Sequence, residues 1–256
     1  MLYETGEHSV INSTEIAKGI HRISFYDEED LPGIIIPGVS YNLFLIGDRR
    51  PAIINTMYLR TFKRLRDKVR EIVDPASLRY IIVPHHEGDS SGAINEWLKA
   101  APAAVAICSE LCAMLSLRDF AEKEPTVVRD DQVIELGSHR LRFLITPHIN
   151  QWNSLMVYEE TTGTLFPNDL FAMLGTETAT GREVSAENLE GARQVGYQPD
   201  DRVSLNRVLD KIERLELKAI APMHGPVLTA HFDRLISCFR EGSLASASEK
   251  SALLQN

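Results

Sequence analysis

The stretch Ile81-Ile82-Val83-Pro84-His85-His86-Glu87-Gly88-Asp89-Ser90-Ser91-Gly92 opens as an apolar, β-branched run and then turns polar. The apolar part reads as a buried strand, Ser-Ser-Gly as a turn, and 93–100 as a helix. A strand leading into a helix puts its carboxyl end at the sheet edge where ligands and metals collect. Two imidazoles and two carboxylates fall within 85–89. On an extended segment alternate residues face the same way, so His85, Glu87 and Asp89 are expected on one side and His86 on the other. One nitrogen and two oxygen donors make half a metal site. The alternative is a polar loop with solvated acids. Burying unpaired carboxylates without a cation costs several kcal/mol, so later donors decide between the two.

Outward from this stretch, strands are expected at 15–25, 40–46, 52–56, 105–108, 132–136, 140–145, 156–158, 164–166 and 219–222. The second and third of these form a hairpin around 47–50, and 156–158 pairs with 164–166 around Thr161-Thr162-Gly163. Helices are expected at 59–73, 110–120, 203–215 and 232–240. The first repeats Phe62, Leu65, Val69 and Ile72 at helical spacing and stops at Pro75. The segments 27–38 and 175–199 read as loops able to cover a site, and 243–256 as a frayed tail after one domain spanning 1–242. Strands interleaved with helices in this order fit an α/β (α+β) fold, two sheets sandwiched between outer helices.

Composition narrows the function. The chain has 256 residues, 44% hydrophobic and 25% charged, enough for a sizeable core. A net charge of -9 argues against nucleic acid and anionic membranes as partners. No apolar run is long enough to span a bilayer, and the amino terminus lacks the apolar core of a signal peptide. Cys108, Cys112 and Cys238 form no even framework, and the first two read as buried thiols. A cytoplasmic location is therefore expected.

Three further apolar runs end in polar donors: 143–147 before His148-Ile149-Asn150, 165–168 before Asp169, and 220–223 before His224-Gly225-Pro226. The set His85-x-Glu87-x-Asp89, a His-bearing turn, Asn168-Asp169 and His224-Gly225-Pro226, with Ser40-Tyr41-Asn42 earlier, resembles the metallo-β-lactamase-fold domain of flavodiiron proteins over about 15–240. That resemblance implies an αβ/βα sandwich of two mixed sheets flanked by helices, with two iron ions along one edge. Zinc hydrolases of this fold carry His-x-His-x-Asp-His; here Glu87 and Ser90 replace the second and last histidines, and a carboxylate-rich set suits iron. The implied grouping puts His85, Glu87 and one residue of the 148–150 turn on one iron, Asp89 and His224 on the other, and Asp169 between. Gap-free matching places Asn150 at the ligand position. His148, facing the same way on an extended segment, is the preferred donor; Asn150 is the alternative.

The flavodoxin domain of that family has no counterpart in this sequence, so no FMN is expected in this chain. The chain is then similar to stand-alone diiron proteins that bind dioxygen as oxygen or iron sensors beside a chemoreceptor. The second reading is an oxidoreductase acting on dioxygen or nitric oxide, with electrons from a separate flavoprotein or redoxin. The third is a zinc hydrolase. Tyr197 is a candidate pocket donor toward bound oxygen. The resemblance also implies a homodimer.

Overall fold

The computed structural model describes residues 10–26, 40–173, 180–181 and 201–241. The two loops expected to cover the site, apart from 180–181, lie outside the described residues, as do Tyr197 and the tail.

Two seven-stranded sheets form the centre. The first runs in the order β1 (Val10–Ala17), β2 (Ile20–Tyr26), β3 (Ser40–Ile46), β4 (Ala52–Ile54), β5 (Tyr80–Ile82), β6 (Val105–Cys108), β7 (Thr126–Val127). β1 to β4 pair antiparallel and β4 to β7 parallel. The second sheet contains β8 (Val133–Glu135), β9 (Arg140–Ile145), β10 (Leu155–Glu159), β11 (Thr164–Phe166), β12 (Thr180–Gly181), β13 (Ala219–Ile220) and β14 (Val227–Leu228). Its order is β12-β14-β13-β11-β10-β9-β8, and it too is mixed.

Side-chain alternation along the strands builds three apolar layers. In β3, Phe44 and Ile46 face the second sheet, whereas Leu43 and Leu45 face the helices Phe62–Arg70 and Ile94–Ala100. In β10, Leu155 and Val157 face inward, whereas Met156 and Tyr158 meet the helices Arg202–Ile212 and Phe232–Glu241. Phe44 and Phe166 meet across the two sheets at 4.9 Å. Strands β3, β4, β10 and β11 are each buried along their whole length, which explains their apolar runs. This is the expected αβ/βα sandwich.

Several expectations need correction. The single strand expected at 15–25 is two, β1 and β2, joined at Gly19, whose φ of 72° the bare glycine backbone adopts without strain. β4 stops at Ile54 because Asn55 turns left-handed (φ 69°). The helix expected at 59–73 is a 3₁₀ turn, Leu59–Thr61, followed by Phe62–Arg70. The run 110–120 is helical but contains a π-helical segment, Ala113–Leu117. β7, β12 and β14 were not expected; each has two residues, too few to show a period. No helix among the described residues is long and apolar enough to cross a membrane.

Candidate metal centre

The donors come from four loops that follow β5, β9, β11 and β13 and meet at one edge of the sandwich. After β5 the backbone of Pro84 accepts from Leu155 N (2.9 Å), which ties the first loop to the second sheet. Asp89 lies in a helical turn, Gly88–Ser91, and not on an extended segment as expected. That turn is pinned to the end of β4: Met57 N donates to Asp89 O (2.8 Å), and Ser90 Oγ donates to Asn55 Oδ1 (3.1 Å). His85, Glu87 and Asp89 still converge, with ligand atoms all within 4.8 Å of one another. His86 faces outward as expected and contacts the Asn153 amide.

Asp169 sits at the middle of the cluster and is buried. Its Oδ1 lies 3.2 Å from His224 Nε2; its Oδ2 lies 3.6 Å from His85 Nε2. His224 Nε2 also lies 3.5 Å from Asp89 Oδ2, and His85 Nε2 lies 3.0 Å from Glu87 Oε2. The carboxylate thus has one oxygen toward His85 and Glu87 and the other toward His224 and Asp89.

The 148–150 segment is a turn. His148 and Asn150 are both left-handed (φ 68° and 63°), and His148 N donates to Gln151 O (3.0 Å). The extended geometry that would aim both side chains alike is absent. His148 is exposed, whereas Asn150 Nδ2 donates to Asp169 Oδ2 (2.7 Å) and approaches Glu87 Oε2 at 3.4 Å. The structure therefore brings Asn150, and not the preferred His148, to the cluster. Gln151 Nε2 donates to Glu87 Oε1, a contact the sequence reading missed.

The His224 loop is held by a polar knot. His224 Nδ1 donates to Ser40 O (3.1 Å), and its ring packs edge-on against Tyr41 at 4.7 Å. The carbonyl of Gly225 accepts from Arg22 Nη2 (3.2 Å) and Asn42 Nδ2 (2.9 Å), and Asn42 Nδ2 also donates to Pro222 O (2.9 Å). Gly225 has φ 94°, and a Cβ there would lie 2.9 Å from Met173 O, so glycine is required. Arg22 is buried and meets only neutral acceptors among the described residues; burial pushes its guanidinium down to about 10.

Four of the eight left-handed non-glycine residues described, His148, Asn150, Asn168 and Phe171, belong to these loops, and Asn55 and Met57 lie in the segment after β4 that pins the Asp89 turn. Each such conformation costs on the order of 1–3 kcal/mol and persists only where the surroundings over-determine it. The edge is therefore built for geometry at some expense in stability.

The charges fit a cation. Burial opposes a positive His224, yet Asp169 and Asp89 outweigh it and push the imidazole up to about 10. Burial likewise opposes charge on His85, and Asp169, Glu87 and Asp89 raise it. The hydrogen bond from His85 lowers Glu87. Protons and amide hydrogens thus stand among three carboxylates where metal ions would. Asp89 Oδ1 is buried without a hydrogen-bond partner, and both imidazoles aim Nε2 into the cluster. Two imidazole nitrogens, three carboxylates and an amide form a mixed nitrogen and oxygen donor set compatible with divalent metal ions.

Comparison with known proteins identifies the fold and the family. Nitric oxide reductase of Moorella thermoacetica is 29% identical over 79% of this chain. Coenzyme F420H(2) oxidase of Methanothermobacter marburgensis is 29% identical over 80%. The chain spans about half the length of these relatives, 53% and 54%. A point mutant of the flavo di-iron protein from Thermotoga maritima superposes with a TM-score of 0.81 at 23% identity, covering 91% of this chain and 61% of that one. The resemblance to the flavodiiron metallo-β-lactamase-fold domain is borne out. Residues 39–225 match the family model described as ODP family beta lactamase, and the chain belongs to that family.

Proposed function

We propose that this chain holds two iron ions at the cluster and binds dioxygen there, acting as an oxygen-responsive module. The supporting observation is the central carboxylate, Asp169, which divides its two oxygens between His85 and His224. In this reading His85, Glu87 and Asn150 would hold one ion and Asp89 and His224 the other, with Asp169 placed to serve both. Asn150 must turn its amide so that the carbonyl oxygen faces the ion, since Nδ2 now faces the carboxylates. When bound, the iron pair supplies reversible electron transfer to a small diatomic molecule.

The residues around it do the rest. Ser40 O holds the proton of His224 on Nδ1 and so leaves the Nε2 lone pair to the ion. Gln151 steadies Glu87. A metal ion would compete with a proton for Nε2 of His85 and of His224.

A second reading is reduction of nitric oxide or dioxygen with electrons from a separate donor. The names of the two relatives, a nitric oxide reductase and an oxidase, favour it. A homodimer and a chemoreceptor or redoxin partner belong to these readings. The test is anaerobic loading with ferrous iron, followed by optical spectra as oxygen is admitted. A stable spectral change with one oxygen bound per chain and no sustained consumption supports the module. Continued consumption once a redoxin and its reductase are added supports the reductase. Zinc in place of iron, with no response to oxygen, would return the chain to metal-assisted hydrolysis.

A further inference from the structure

The two imidazoles of the cluster are oriented by different kinds of partner. His224 Nδ1 faces a backbone carbonyl, Ser40 O, which can only accept. Its proton is therefore fixed on Nδ1. His85 Nδ1 faces the side-chain amide of Asn168, with Nδ2 at 2.5 Å. An amide accepts or donates according to which way it is turned.

As it lies, Asn168 Nδ2 serves both His85 Nδ1 and Asp169 Oδ2, the latter at 3.1 Å. Asn168 Oδ1 is buried and has no partner. A donor at Nδ1 puts the proton of a neutral His85 ring on Nε2, where Glu87 Oε2 receives it at 3.0 Å. In that tautomer Nε2 has no lone pair for a metal ion. Turning the amide over brings Oδ1 to Nδ1, moves the ring proton there and frees Nε2. It also sets Oδ1 against Asp169 Oδ2, two acceptors about 3 Å apart, which is unfavourable while Asp169 carries its full charge. A cation on Asp169 removes that obstacle.

We propose that Asn168 is a positioning residue whose amide sets the His85 tautomer: it donates to Asp169 in the metal-free protein and turns over to accept from His85 when metal binds. This rests on the metal-site reading above. It makes the His85 side conditional on charge neutralisation at Asp169, while the His224 side is preset by the backbone.

The left-handed backbone at Asn168 (φ 59°) supplies the controls. Asn168→Gly keeps that conformation without strain and removes the amide. Asn168→Asp tolerates it and keeps an acceptor. Zinc(II), which is diamagnetic, is the probe, and long-range ¹H–¹⁵N spectra report which nitrogen of each histidine carries the proton. At a pH high enough to leave both rings neutral, the expected result is His85 protonated on Nε2 without zinc and on Nδ1 with it, while His224 keeps Nδ1–H throughout. Asn168→Gly should bind zinc about 10- to 100-fold more weakly, with Asn168→Asp close to wild type. Zinc binding by Asn168→Gly as tight as wild type, or an unchanged His85 tautomer in zinc-loaded wild type, overturns this proposal alone. Absence of zinc-dependent shifts at both His85 and His224 overturns the metal-site reading and the proposal with it.

Discussion

Replacing Asp169 by alanine tests the centre at its most connected residue. The carboxylate lies 3.2 Å from His224 Nε2 and 3.6 Å from His85 Nε2, and it accepts from Asn150 and Asn168 at 2.7 and 3.1 Å. At an effective dielectric of about 20, a unit charge pair at the shorter distance interacts by about 5 kcal/mol. Removing one partner of a buried pair costs about 3–5 kcal/mol when the other stays charged. Here His224 discharges instead, and repulsion from Glu87 and Asp89 is relieved. The metal-free variant should therefore fold, with a moderate loss in Tm. Metal binding fares worse, because Asp169 faces both ion positions. Loss of an outer partner alone costs about 10- to 100-fold in affinity, so loss of a shared ligand should exceed that range at both. The assay is anaerobic iron loading, desalting and metal counting, with chelator competition for affinity and circular dichroism as the fold control. Asp169→Asn, which keeps the volume, should behave alike. Retention of two irons per chain with near-native affinity would refute the bridging assignment.

The same geometry bears on four other perturbations. Asn150→Ala should lower metal occupancy, whereas His148→Ala should leave it unchanged, because only Asn150 reaches Asp169; equal losses in metal analysis would contradict the placement. His224 is pushed from an ordinary 6.5 up to about 10. Its stabilising effect in metal-free protein should be complete below pH 6.5 and fade as pH rises toward 10, an upper bound on the order of 5 kcal/mol. Denaturant titrations across that window should show the decline in metal-free protein and not in metal-loaded protein. Arg22→Met should leave Asn42 Oδ1 without its donor, while Gly225 O keeps Asn42 Nδ2 and Ser40 Oγ keeps Gly225 N. A cost of about 1–3 kcal/mol per unsatisfied buried group, with weaker metal binding, is the expected outcome of urea melts and chelator competition. Phe44→Ala, at the contact between the sheets, should cost about 3–5 kcal/mol in the same melts.

The layers of the fold were legible because both faces of β3, β10 and β11 are buried and their residues are mostly apolar. Polar residues after β5, β9, β11 and β13 marked the edge where the donors meet. What the pattern could not convey is backbone handedness. Asn55, His148, Asn150 and Asn168 all turn left-handed, and an alternation argument assumes extended chain. That is why His148 was preferred to Asn150, whereas Asp89 does join His85 and Glu87 as expected, though from a helical turn and not from extended chain. Asparagine at three of these positions was the available signal, since it tolerates the left-handed conformation better than most residues. The partner that orients His224 was beyond sequence reasoning: it is a backbone carbonyl, Ser40 O, which no side-chain pattern encodes. Arg22 was hidden likewise, as a charge within a strand whose acceptors lie on β3 and beyond β13.

The most direct measurement is a crystal structure of anaerobically iron-loaded protein with anomalous differences recorded on both sides of the iron absorption edge. Two iron peaks flanking Asp169, one against His85 and Glu87 and one against Asp89 and His224, are expected. A single peak, peaks away from Asp169, or full occupancy by zinc from iron-supplemented preparations would contradict the dinuclear iron centre.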